Sequence, residues 1–155
     1  MMTRVVLTYG TFDLFHVGHL NLLNRLRALG DKLIVGVSTD EFNAGKGKRT
    51  IVPFKDRLEI VQNIKAVDLA IPETSWDQKV IDIKNHNVDV FGMGNDWESK
   101  FDFLKEHCEV IYLPRTEAIS STDLKKLLRV LDQTHIADLK TALDLISTIV
   151  ATFDS

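Results

Sequence analysis

The stretch "YGTFDLFHVGHLNLL" (residues 9–23) places His16 and His19 three apart, with Gly18 between them, where strand-like residues give way to a helical apolar pattern. A helix start carries free N–H groups and about half a positive charge, so an anion is favoured there. Imidazoles in the first turn add directional donors. Gly18, like Gly10 at the strand end, lets a phosphate come close to the backbone. Two other readings stay open: a zinc site, and a histidine pair that only caps and packs. Zinc needs at least a third ligand, yet the chain has no cysteine pair and no HExxH, and His86, His107 and His135 lie on unrelated segments. Neither the P-loop pattern nor GxGxxG is present.

A second candidate is "RTEAISSTDLKK" (residues 115–126), where Ser120, Ser121 and Thr122 precede a helical run. These hydroxyls read as an ordinary N-cap. With Arg115 ahead of them they also make an anion cradle, because arginine donates in a fork to phosphate oxygens. Two equipped helix starts suit a ligand with several phosphates. The basic run Lys46, Lys48 and Arg49 reads either as a third anion contact or as a solvated loop.

Such residues need a scaffold that gathers them at one edge. Apolar runs at Val5–Tyr9, Leu33–Val37, Leu69–Ile71, Val88–Phe91 and Val110–Leu113 read as strands buried on both faces. Helices fit between them at Gly18–Ala28 (Gly30 as C-cap), Phe54–Ile64, Asp77–Asn85 and, briefly, near Phe101–Glu106. This order predicts an α/β fold: a doubly wound, Rossmann-like five-stranded parallel sheet with helices on both faces and a C-terminal helical extension. In such sheets ligands sit beyond the carboxyl ends of the strands. The loops Gly10–Val17, Ser38–Val52 and Gly92–Trp97 would share that edge.

Residues 1–130 read as the nucleotide-binding domain and 131–155 as an amphipathic helix. Ile136, Leu139, Leu143, Ile146, Val150 and Phe153 are spaced 3, 4, 3, 4, 3, a heptad seam that either packs on its own domain or pairs in a homodimer. The chain has 155 residues, net charge −3 and one cysteine, Cys108. These values suit a cytoplasmic protein without disulfides and disfavour broad nucleic-acid binding. No signal-peptide layout and no membrane-spanning run is expected.

"GTFDLFHVGH" resembles the HxGH signature of the nucleotidylyltransferase superfamily, and "RTEAISST" after "VIYLP" resembles the matching motif of the cytidylyltransferases. Together with "STDEFN" and "DVFGMGNDWESKFDFLK" they are similar to the glycerol-3-phosphate branch of that family, from about Arg4 to Leu128. Ala118 departs from the glycine common at its position, and the tail has no counterpart to place.

The resemblance implies transfer of a cytidylyl group from CTP to sn-glycerol 3-phosphate, with Mg2+ or another divalent cation. CDP-glycerol and pyrophosphate would result, the former for teichoic-acid or capsule-type polymers. His16, His19, Lys46 and Arg115 would be catalytic. CTP would meet Thr11, Phe12, His16, Gly18, His19, Lys48, Asp96 and the segment Arg115, Thr116, Glu117, Ala118, Ile119, Ser120, Ser121 and Thr122. Lys46, Lys79, Trp76 and Arg57 would meet the acceptor, and Asp13 is a candidate metal contact. The alternatives are ethanolamine or choline phosphate as acceptor, an adenylyltransferase, a non-catalytic nucleotide-binding module, or an oligomerisation protein built on the C-terminal seam.

Overall fold

Five strands, β1 (Val5–Gly10), β2 (Lys32–Ser38), β3 (Leu69–Glu73), β4 (Val90–Gly94) and β5 (Glu109–Leu113), pair in parallel in the order β3-β2-β1-β4-β5. The computed structural model describes residues 2–115 and 120–153, the side chains of 130–134 excepted. Two compact units result, Met1–Ala118 and Ile119–Ser155.

Alternation along each strand divides the core of the first unit. Val5, Leu7 and Tyr9 of β1 join Ile34, Phe91 and Met93 in one layer, with Ile83 and Leu104 behind them. Val6 points the other way, with Leu33, Val35, Val37 and Val90, under Leu23, Leu26 and Val61. The first layer is covered by α4 (Gln78–Asn85) and a 3-10 turn at Asp102–Glu106; the second by α1 (Val17–Arg27) and α3 (Phe54–Gln62). Valine and isoleucine dominate because both sheet faces are dry and stiff branched side chains pack well there.

The strand order reverses at β1, and this opens the site. β1 pairs with β2 along its whole length, Val5↔Lys32 to Gly10↔Val37, but with β4 only at Val6↔Val90 and Leu7↔Phe91. Beyond Leu7 the β1–β4 ladder stops, leaving a crevice at the carboxyl ends where the topology switches.

Several local expectations change. The segment Ser38–Val52 is not all loop, since α2 (Asp40–Gly45) forms inside it. Thr39 caps α2 through the Phe42 N–H, and Asp40 and Glu41 sit in its first turn, a start signal that outweighs the glycines behind it. Gly30 is not a C-cap. Ala28 takes that position in ordinary right-handed geometry, and Gly30 is needed because a Cβ there would lie 2.6 Å from the Arg4 carbonyl oxygen. β4 begins at Val90 and continues to Gly94, so half of the expected Gly92–Trp97 loop is strand. The helix near Phe101–Glu106 is 3-10.

In the second unit α5 runs unbroken from Ser121 to Phe153. Ser120 caps it through the Asp123 N–H at 3.1 Å. Its seam residues Ile136, Leu139, Leu143, Ile146, Val150 and Phe153 are exposed. Among the described residues no helix is long and apolar enough to cross a membrane.

Candidate active site

The turn from β1 into α1 carries two non-glycine residues in the left-handed region, Phe12 (φ 55°) and Leu14 (φ 49°). Each such residue costs of order 1–3 kcal/mol. Single core leucines and valines contribute about as much each, so the packed layers hold the turn in place. Gly10 serves this turn rather than a ligand, since a Cβ there would lie 2.7 Å from the Phe12 ring.

His16 is the N-cap of α1, and its Nδ1 accepts the Gly18 N–H at 3.0 Å. His19 Nδ1 accepts the His16 N–H at 3.3 Å, closing a capping box made of two imidazoles. A neutral ring that accepts at Nδ1 carries its proton at Nε2. Both histidines are therefore set to donate from Nε2. The rings stack with centroids 4.0 Å apart, and Phe12 and Phe15 flank His19.

This setting disfavours charge. Burial pushes His16 below its ordinary value, and the Arg115 guanidinium adds to the shift. Burial lowers His19 to about 4, assisted by His16 and opposed by Asp13. At neutral pH the pair is uncharged, while His16 Nε2 is buried with no partner among the described residues. A buried donor without an acceptor costs about 1–3 kcal/mol. Its natural complement is an anionic oxygen supplied by a ligand.

A second cluster lies beyond β2 and β3. Lys46 Nζ sits 4.2 Å from the Phe42 ring centroid and 5.3 Å from that of Trp76. Lys79 Nζ lies 4.8 Å from Trp76 on its way to Glu73, 2.8 Å away in a fully buried pair. Glu73 also accepts the Ser38 hydroxyl. Burial lowers Lys46, with Lys48 and Lys79 adding to the shift against the pull of Glu73. Phe42, Lys46 and Trp76, with Thr39, Glu41, Gly45 and Thr74, line an open pocket of ≈ 460 Å³. Lys46, Lys79 and Trp76 are thus together, and the exposed Lys48 stands one turn of chain from Lys46.

Arg57 was expected to cross the cleft towards the acceptor; its side chain is instead fully buried and used within the fold. It donates to the carbonyl oxygens of Val52, Thr11 and Ser38 and to Asp40 Oδ1, all within 2.7–2.8 Å. Asp13 is likewise committed: Oδ2 accepts the Ile51 N–H, and Oδ1 accepts those of Val52 and Leu14. These two residues tie the β1 turn to the chain that follows the basic run. Lys46 and Lys48 are therefore positioned rather than loose. Among the described residues no three histidine, cysteine or carboxylate side chains group to hold a metal ion.

Asp96 and Arg115 are both exposed and meet at 4.0 Å, beyond the ends of β4 and β5. Trp97 packs on Phe101 and Lys100, as an ordinary core aromatic does. Thr116, Glu117, Ala118 and Ile119 lie outside the described residues. Ser120, Ser121 and Thr122 belong to the second unit, where Ser120 acts as the cap described above. Sequence reasoning missed Phe42, Asn43 and Glu73. A carboxylate ending the apolar run "LAIPE", six residues before a lysine, was the one signal available for Glu73; Phe42 and Asn43 sat in a segment read as loop.

A cytidylyltransferase-like family model matches residues 7–150. The glycerol-3-phosphate cytidylyltransferase of Bacillus spizizenii is 57% identical over 123 residues, spanning 79% of this chain and 95% of that protein. The enzyme of the same name from Staphylococcus aureus is 54% identical over 125 residues, covering 81% and 94%. A solved structure of a lipopolysaccharide core biosynthesis protein from Thermoplasma volcanium superposes with a TM-score of 0.66 at 26% identity, over 75% of this chain and 100% of that one. The HxGH turn at the sheet's switch point and these matches agree, and the chain belongs to the cytidylyltransferase-like family.

Proposed function

We propose that the chain transfers a cytidylyl group from CTP to sn-glycerol 3-phosphate, releasing CDP-glycerol and pyrophosphate. An acceptor phosphate oxygen attacks the α-phosphorus while the bond to the β-phosphate breaks, and the electron pair leaves on pyrophosphate. A phosphate monoester is already a nucleophile at neutral pH, so no general base is needed. Catalysis rests on positioning and on stabilising charge as it moves. The observation that carries this reading is the uncharged histidine pair with locked tautomers and a His16 Nε2–H that has no partner among the described residues. Such groups donate hydrogen bonds to phosphate oxygens without exchanging protons.

The lysine cluster supports glycerol phosphate over choline or ethanolamine phosphate. A cationic headgroup would use the faces of Phe42 and Trp76, but those faces hold the protein's own Lys46 and Lys79 ammoniums. The same ammoniums favour the phosphate of an acceptor with an uncharged polyol. Lys46 contacts that phosphate directly, while Lys79, buried against Glu73, contributes its field and holds the Trp76 ring. Lys48 and Arg115 serve the β- and γ-phosphates of CTP, and Thr11, Phe12 and Asp96 serve the nucleoside side.

A divalent cation belongs to the proposal as a companion of the triphosphate. With Asp13 engaged by backbone N–H groups and no grouped ligands among the described residues, the protein side chains here do not fit a resident ion. No step above depends on one. The enzyme is further read as cytoplasmic, supplying CDP-glycerol for polymer synthesis, and as a homodimer that uses the exposed α5 seam.

Pyrophosphate release with each nucleoside triphosphate against glycerol, ethanolamine and choline phosphates tests the reading. CTP with glycerol 3-phosphate should exceed every other pair by at least ~100-fold. Equal rates with choline phosphate, or no CDP-glycerol at all, would end it.

A further inference from the structure

Between the histidine turn and the lysine pocket lies a fully buried amide. Asn43 is 0% exposed, on the last turn of α2. Its Oδ1 accepts the Thr11 hydroxyl at 3.3 Å, which joins α2 to the β1 turn. Its main-chain carbonyl accepts both the Lys46 N–H at 3.0 Å and the Lys48 N–H at 2.8 Å. One residue thus shapes the turn that presents both lysines, with Gly47 at φ 74° permitting the reversal. Its Nδ2 is buried and has no partner among the described residues.

A buried amide donor left without an acceptor gives up the full benefit of hydration. The Thr11 bond accounts for Oδ1, whereas Nδ2 is explained only if something completes it. The one other buried side-chain donor or acceptor without a partner among the described residues is His16 Nε2. Both orphans flank the same β1 turn, the edge at which the two reacting phosphates would meet.

We propose that Asn43 is a substrate-positioning residue, its Nδ2–H donating to an oxygen of the acceptor phosphate held by Lys46. This rests on the transferase reading above. The amide and the ammonium would hold that phosphate from two sides and turn its attacking oxygen towards the α-phosphorus. Asn43 requires a phosphate, not a cation: the group offered is a donor, and its acceptor oxygen is taken by Thr11.

Asn43→Leu keeps the branched shape and removes the orphan donor, together with the acceptor of the Thr11 hydroxyl. Initial rates with both substrates varied should show the KM for glycerol 3-phosphate raised about tenfold or more, the worth of one hydrogen bond to a charged group. The KM for CTP should change less than twofold, and the melting temperature should hold or rise. Asn43→Ala removes the same donor in a smaller side chain if the leucine variant does not fold. Unchanged KM values, equal rises for both substrates, or a rise for CTP alone would overturn the assignment. Calorimetric titration with glycerol 3-phosphate alone reads the contact without turnover. A wild type that binds glycerol 3-phosphate more tightly than Asn43→Leu, yet releases no pyrophosphate, would sink the transferase reading and leave the Asn43 contact standing.

Discussion

The histidine turn and the lysine pocket, both proposed to meet phosphate, are built by opposite physical means. At the turn, His16 and His19 are neutral, their Nδ1 atoms are spent on backbone N–H groups, and His16 Nε2 has no partner among the described residues. In the pocket, charge is kept and balanced: Lys79 is paired with Glu73, and Lys46 lies on two aromatic rings within the field of that carboxylate. Neutral donors suit a group whose charge shifts during reaction, because they stabilise developing charge without holding the ground state too tightly. Balanced cations suit a group whose charge is constant and must be recognised. On the proposed reading, one region serves the transition state and the other serves binding.

The sharpest way to break this contrast is to remove the neutral donors. His16→Ala and His19→Ala should each lower kcat by about 10²–10³-fold, as for loss of one oxyanion-type donor, with little change in either KM. A KM effect without a kcat effect would reverse the roles of the two regions. On the other side, Lys79→Met leaves Glu73 buried and unpaired. Breaking a buried pair costs roughly 3–5 kcal/mol, so thermal unfolding should shift down strongly, and restoring neutrality with Glu73→Gln in the same chain should recover part of the loss. If Lys79→Met is as stable as wild type, the pair is not the support inferred here. Lys46→Ala should raise the KM for glycerol 3-phosphate about tenfold and that for CTP little, the ammonium being the one cation among the pocket's described lining residues; an equal rise would remove its acceptor role.

The smallest effect concerns pH. His19 is lowered in the folded chain to about 4 from an ordinary 6.5, so between those values the unfolded chain binds more protons. The stability that comes from keeping this ring neutral is complete above about 6.5 and is lost as pH falls towards 4. His19→Gln should flatten the dependence of melting temperature on pH in that window relative to wild type. An unchanged slope would mean that the ring is not held neutral.

Much of the scaffold was legible in residue pattern because it depends on periodicity alone. The apolar runs near Val5, Leu33, Leu69, Val88 and Val110 became the five strands, and the heptad run after Ser121 became one helix. The histidine motif and the basic run were legible as residue types at a set spacing. What each side chain touches was not. Arg57 and Lys79 are expected from the resemblance to meet the acceptor, yet one is a buried clamp on four residues and the other a buried ion pair. Asp13 looked like a free loop carboxylate and holds the chain at Ile51 and Val52.

Sequence alone thus determined the order of the strands and of the helices other than α2, the family, and the residue types available at the carboxyl edge, since these follow from hydrophobic period and local motif. Tertiary structure decided the tautomers of His16 and His19, the neutrality of the pair, the partners of Arg57 and Lys79, and the lack of a partner for Asn43 Nδ2 among the described residues. The reason is distance: a side chain's charge state and partners depend on groups brought near by packing, such as Thr11 on Asn43 across 32 positions of chain, and no local pattern encodes them.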